Sequence, residues 1–326
     1  MQLNPADVGR AAEILSALRD EIGKAVIGQR EAVEQTLIAL VASGHLLIEG
    51  TPGLGKTLLA RAFAKALSLQ TARIQFTPEL TPSDIIGRAL PDTASAPGAA
   101  QLQRGPIFTH LLLADEINRA PARTQSALLE AMQEYQVTID GRTLPIARPF
   151  MVVATQNPLD TEGTYPLPEL QLDRFLFKID ISHPGLVDEA AVVVRATLAQ
   201  GGDQLPLAGV TPRMDERNVV ALQKMAAHVR VDERVVDYAV RLVRATRNWP
   251  GLSSGAGARG AIALVRAARA AALLSARDHA TADDVKHHAL PALRHRVLLA
   301  PDAQFEGSRV DELLSALLDS VEAPRA

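Results

Sequence analysis

Between residues 46 and 181, short apolar runs of strand length alternate with stretches in which apolar residues recur every three or four positions. The runs at 46–49, 73–76, 107–114, 150–155 and 175–181 mostly lack the in–out alternation of a half-exposed strand. They are therefore expected to be strands of a mainly parallel sheet with both faces covered. Ahead of them, residues 7–43 predict two helices, one with Ala12, Ile14, Leu15 and Leu18 on its apolar face, the other with Val33, Leu37, Ile38, Leu40 and Val41. Two excursions interrupt the alternation. Residues 84–104, rich in Ala, Pro and Gly, read as a flexible insertion, and Asp140-Gly141 between two short apolar runs is a strong β-hairpin signal.

The pattern changes after His183-Pro184-Gly185. A helical run to Gln200 meets the break Gly201-Gly202-Asp203, and helical period then dominates at 215–228, 234–248, 259–277 and 282–298. The expected architecture is an α/β core over residues 1–183, a parallel sheet with helices on both faces. It carries the insertion at about 84–104 and the hairpin at about 136–146. A linker and a smaller all-helical lid are expected over 184–326.

Composition narrows the chemistry. The chain is 47% hydrophobic but only 3% aromatic, so its cores must be aliphatic, and 326 residues suffice for roughly two domains. With no cysteine, disulfides, thiolate metal sites and cysteine nucleophiles are excluded. The start of the chain lacks a basic segment followed by an apolar one, and no 18-residue uncharged apolar run occurs, so a cytoplasmic protein without membrane insertion is expected. A net charge of −3 gives no general attraction to nucleic acid or anionic lipid.

The run Gly50-Thr51-Pro52-Gly53-Leu54-Gly55-Lys56-Thr57 fits the phosphate-loop pattern G-x-x-x-x-G-K-[ST] without mismatch. It follows an apolar strand and opens a helical run at Leu58, the strand–loop–helix context that the pattern needs. Backbone N–H groups of such a loop turn inward around phosphates, and the helix N-terminus adds partial positive charge. Lys56 is expected to reach the β- and γ-phosphates, and the Thr57 hydroxyl to ligate Mg²⁺. Leu111-Leu112-Leu113-Ala114-Asp115-Glu116 is an apolar strand ending in two carboxylates, a Walker B element. Asp115 is assigned to the Mg²⁺ site through water, and Glu116 to orienting the attacking water. A further strand ends in Asn157-Pro158; its amide can read the γ-phosphate or hold that water, although Asn-Pro is also an ordinary turn. The eight histidines show no H-E-x-x-H spacing, and no G-x-S-x-G elbow occurs, so zinc and serine hydrolysis are set aside.

Together GTPGLGKT, LLLADEINRAPARTQSALLEAMQE, VVATQNPLDTEGTYPLPELQLDRF and the late GARG resemble the MoxR branch of AAA+ ATPases, from about Ile22 to Val297. The resemblance implies that Asn157 is the first sensor residue, that Arg174 is an arginine finger reaching a neighbour's nucleotide, and that Arg259 is the second sensor, supplied by the lid. Val26 and Ile27 resemble the segment that packs on adenine, which makes ATP the nucleotide. Arg119 and Arg123 are further candidates for the subunit interface. Where relatives commonly carry Ser-Pro before the second sensor arginine, this chain has Gly257-Ala258.

Such proteins work as homo-oligomeric rings, hexamers by resemblance. They remodel, activate or assist metal-cofactor maturation of protein clients, commonly beside a separate von Willebrand factor A domain protein. A helicase-like nucleic-acid motor is the alternative, as is a low-turnover regulatory switch. The expected hairpin region, 136–148, carries Arg142 and Arg148 against Asp140, a thin footprint for DNA, so no nucleic-acid partner is expected. The switch is disfavoured by the presence of Glu116, Asn157 and Arg174.

Overall fold

The computed structural model describes residues 3–91, 100–158, 163–198, 207 and 209–324. Five parallel strands form the central sheet: β1 (Leu46–Glu49), β2 (Thr71–Gln75), β3 (Leu111–Asp115), β4 (Met151–Gln156) and β5 (Phe177–Asp180), in the order β5-β1-β4-β3-β2. Successive side chains of a strand point to opposite faces, and in the central strands β1, β3 and β4 both faces are packed, whereas the edge strand β2, expected to be covered on both sides, leaves Thr71, Arg73 and Gln75 exposed. Leu46 and Ile48 join one core with helices Pro5–Gly23, Arg30–Val41 and Lys56–Ala66. Leu47, Leu112, Ala114, Val152 and Ala154 join a second core with helix Ala122–Glu134 and the hairpin residues Val137 and Ile139. That two-sided burial explains why these strands read as continuous apolar runs.

The hairpin pairs Gln136–Ile139 with Arg142–Pro145 around Asp140-Gly141, both at positive φ. The stretch expected to be a flexible insertion is more ordered where it is described. Gly87–Pro91 and Ala100–Arg104 pair as an antiparallel ribbon, and Leu102 packs against the second core. Residues 92–99 and the expected break at 201–203 lie outside the described residues.

Beyond the sheet, helices Glu216–His228, Glu233–Thr246 and Ala258–Leu274 form a helical lid whose apolar faces continue the first core. The single helix expected over 282–298 is instead two short ones, Ala282–His287 and Ala289–Leu293, followed by a strand, Leu298–Leu299, antiparallel to Leu252–Ser254. Pro291 cannot donate a backbone hydrogen bond, and the apolar period simply persists across the interruption. Two further helices, Pro301–Phe305 and Val310–Ser320, follow.

Arginines fasten the lid to the core. Half-buried Arg266 donates to the carbonyls of Ala42 and Ser43 (2.8 Å to the latter), beyond the end of helix Arg30–Val41, where the helix dipole favours a cation. Arg296 pairs with Asp173 at 2.8 Å and donates to the Phe175 carbonyl at 2.6 Å.

Three buried histidines are held neutral. His45 accepts from the Val152 N–H (3.0 Å) and donates to the Met132 carbonyl (3.0 Å). Burial pushes it down to about 4; burial and neighbouring His287 do the same to His288, and burial beside Arg296 holds His295 well below the usual range. The unfolded chain binds protons that the fold rejects, so this stability is present above about pH 6.5 and is lost as pH falls toward 4. By pH 5, His45 and His288 should each have cost roughly 2 kcal/mol. Urea denaturation at pH 7.5 and pH 5 measures this; equal stabilities would show that the histidines titrate normally.

Candidate functional site

The strand registers bring the expected phosphate chemistry to one edge. Glu49 lies beside Gln156, Ala114 beside Ala154, and Gln75 beside Asp115. The phosphate loop, Asn157 and Glu116 therefore leave the sheet together at its carboxyl ends, the usual ligand-binding edge of an open parallel sheet.

Residues 50–55 curl between β1 and helix Lys56–Ala66. Gly53 and Gly55 have φ of 87° and 86°, which a side chain would strain, and Gly55 is the helix N-cap without a side-chain cap. The first-turn N–H groups, including those of Lys56, Thr57 and Leu58, thus open toward the loop rather than onto a capping side chain. The Lys56 ammonium donates to the carbonyls of Gly50 and Thr51 (3.0 Å to Thr51).

Asp115 is 2% exposed; one of its oxygens accepts from Arg73 at 2.7 Å and the other from the Thr155 hydroxyl at 3.2 Å. Glu116 adopts the left-handed conformation (φ 57°, ψ 50°), rare for a non-glycine residue, and its N–H donates to Thr155 Oγ1 at 3.0 Å. Its carboxylate accepts from the Gln75 amide at 2.8 Å and lies 3.5 Å from Arg119. That places Arg119 on its own chain's Glu116, whereas Arg123 is exposed in the first turn of helix Ala122–Glu134. Asn157, 6% exposed, follows β4 directly.

Val26 is buried and Ile27 half-buried. Gly28, at φ 76°, lies so close to Pro184 that a Cβ would fall 2.7 Å from the proline Cβ, and Gln29 donates to the Ser182 carbonyl at 2.7 Å. Since the Ile181 N–H donates to the Glu49 carbonyl at 2.8 Å, residues 26–29 sit on the same connection that flanks the phosphate loop.

Arg174 and Arg259 form a second cluster. Both donate to the Gln133 side-chain oxygen, and Arg259 also lies 3.4 Å from Asp173. Arg174 is half-buried and, among the described residues, donates otherwise only to the Leu129 carbonyl (3.3 Å) and has no partner for its buried Nε. Among the described residues no carboxylate pairs with it. Burial and the charge of Arg259 hold its guanidinium below the usual range.

Sequence reasoning missed Arg73, Gln75, Thr155 and Gln133. The first two carried a signal: they are two apart on one strand, hence on one face, beside the Walker B strand.

The donors at the sheet edge suit a hard cation. Asp115 and Thr57 offer oxygen only, and among the described residues no group of three or more His, Cys, Asp or Glu could hold a metal by itself. Mg²⁺ fits such a partial set, because it is usually bound through one or two carboxylates with phosphates and water supplying the rest.

Residues 45–177 match the ATPase family associated with various cellular activities (AAA), and residues 244–317 match the AAA lid domain. The chain is 41% identical over 311 residues to uncharacterized protein YeaC of Bacillus subtilis, covering 95% of each. It is 39% identical over 335 residues to chaperone MoxR1 of Mycobacterium tuberculosis, covering 97% of this chain and 85% of that one. The crystal structure of a proposed ATPase from Cytophaga hutchinsonii superposes with a TM-score of 0.86 at 37% identity, covering 98% and 97% of the two chains. In strand order, in its lid and along nearly its whole length, this chain belongs to the MoxR family of AAA+ ATPases.

Proposed function

We propose that this protein hydrolyses ATP with Mg²⁺ in a homo-hexameric ring and uses the cycle to remodel or activate protein clients. In this reading residues 1–183 form the nucleotide-binding unit and 184–326 the linker and lid. The loop 50–57 with Leu58 holds the phosphates, Val26 and Ile27 take the adenine, and Thr57 and Asp115 hold Mg²⁺, which neutralises phosphate charge. Glu116 orients the attacking water and Asn157 fixes the γ-phosphate end.

The observation that carries the ring is Arg174. A half-buried guanidinium hydrogen-bonded to neutral oxygens beside a second arginine, with Glu134 and Asp173 near but neither paired with it among the described residues, favours a further anion. A neighbour's triphosphate is such an anion, and the Gln133 contact that Arg259 shares with Arg174 supports a role for Arg259 in the same reaction. ATP hydrolysis per subunit should accordingly rise with protein concentration as sites assemble. A rate per subunit that is constant down to a demonstrated monomer would overturn the shared site.

The chaperone name of the mycobacterial relative supports protein clients. A separate von Willebrand factor A domain protein is the proposed companion, and the cytoplasm the proposed compartment. Among the described residues no helix is long and apolar enough to cross a membrane. The hairpin offers DNA little: Arg148 lies 4.2 Å over the Tyr135 ring, leaving Arg142 against Asp140. Single- or double-stranded DNA at moderate salt should leave the ATPase rate within about twofold, whereas a large, salt-sensitive stimulation would favour a nucleic-acid motor.

A further inference from the structure

We infer that Arg73 is a latch on the Walker B carboxylates, competing with Mg²⁺ for Asp115 and at the same time fixing the amide that holds Glu116. The inference rests on the assignment of Asp115 to the metal. Its basis is a continuous chain of contacts. Arg73 Nε donates to Asp115 Oδ2 at 2.7 Å, Arg73 Nη2 donates to the Gln75 side-chain oxygen at 3.1 Å, and Gln75 Nε2 donates to Glu116 Oε2 at 2.8 Å.

Each link has a consequence. The Asp115 side chain is buried, and with the Thr155 hydroxyl on its other oxygen both oxygens already accept a donor. Each oxygen keeps a further lone pair, so a metal or a metal-bound water would share the carboxylate with the guanidinium, and the fixed positive charge of Arg73 beside it opposes the cation. Glu116, an acceptor only, selects the NH₂ of the Gln75 amide, and Arg73 reinforces that orientation by engaging the amide oxygen. One side chain thus bears on the metal carboxylate directly and on the water-orienting carboxylate through Gln75.

Arg73 also has somewhere to go. Its side chain is half-exposed and lines an open cavity of about 320 Å³ floored by Leu111, Leu113 and Val153. Arg61 and Lys65 line the same cavity and offer the displaced guanidinium no counter-charge. Its electrostatic preference is therefore to return to Asp115 when the metal leaves, as a latch requires.

The test is calorimetric titration of ADP, in Mg²⁺ and in EDTA, into the wild type and into Arg73→Met, Arg73→Lys and Asp115→Asn. With the latch removed, Arg73→Met should bind ADP in EDTA within about twofold of the wild type, while its gain in affinity on adding Mg²⁺ should exceed the wild-type gain by about tenfold. Arg73→Lys, which keeps the charge, should stay near the wild-type gain. An Arg73→Met gain equal to or smaller than wild type would overturn the latch, a smaller gain showing that Arg73 instead holds Asp115 ready for the metal. Should Arg73→Met not fold, as judged by thermal melting, Arg73→Gln carries the same expectation and the same contrary outcome. Asp115→Asn separates the two readings: it should abolish the Mg²⁺ gain, and an undiminished gain would remove Asp115 from the metal site whatever Arg73 does.

Discussion

Glu116→Gln is expected to bind ATP with near-normal affinity and to lose turnover by about 10²- to 10⁴-fold, the usual contribution of a positioned general base. The hydrogen bonds of Lys56 to the Gly50 and Thr51 carbonyls, and of Asp115 to Arg73 and Thr155, do not use the Glu116 carboxylate. Glutamine can still accept from the Gln75 amide and keeps the side-chain volume, so the left-handed turn that aims residue 116 should survive. What disappears is the negative charge that polarises the attacking water. Affinity and steady-state hydrolysis measured on the same preparation decide the matter. Turnover within a few-fold of wild type would remove Glu116 from the chemistry, and lost affinity would show that the change disturbs the phosphate cradle.

The parts legible in the sequence are those whose signal is local. The three central strands β1, β3 and β4 announce themselves because residues such as Leu46, Leu47 and Ile48 are apolar on both faces, and the structure buries both faces, whereas the edge strand β2 is exposed at Thr71, Arg73 and Gln75. The phosphate loop, Asp115, Glu116 and Asn157 fall at one edge because each ends or follows a parallel strand in register with the next. Strand ends moved by a few residues; β3, for instance, begins at Leu111 rather than 107, since Ile107 turns into the second core before the ladder starts.

What stayed hidden depends on register and tertiary contact. Arg73 and Gln75 acquire meaning only once β2 lies beside β3, and Thr155 only once β4 brings its hydroxyl between Asp115 and the Glu116 N–H. Arg294-His295-Arg296 continued the apparent helical period, yet these residues leave the helix to reach the core: Arg294 pairs with Asp180 at 2.8 Å, and His295 and Arg296 meet the Phe175 carbonyl. The ribbon 87–91 with 100–104 was obscured by its Ala, Pro and Gly content, and its pairing and the anchoring of Leu102 are long-range facts.

Arg174→Ala should bind ATP normally and lose hydrolysis by about 10³-fold, as removal of an arginine finger typically does. Among the described residues its guanidinium hydrogen-bonds only to oxygens of helix Ala122–Glu134, so truncation frees Gln133 and Leu129 without uncovering a paired acid. The most direct measurement of the central claim, that active sites are shared between subunits, is to mix this variant with Glu116→Gln. Each is expected to be inactive alone. In mixed rings, some interfaces join an intact Glu116 on one subunit to an intact Arg174 on the next, and ATPase activity should return to a fraction of wild type that follows the mixing ratio. No recovery in rings shown by mass spectrometry to contain both variants would contradict a finger acting on the neighbour's nucleotide.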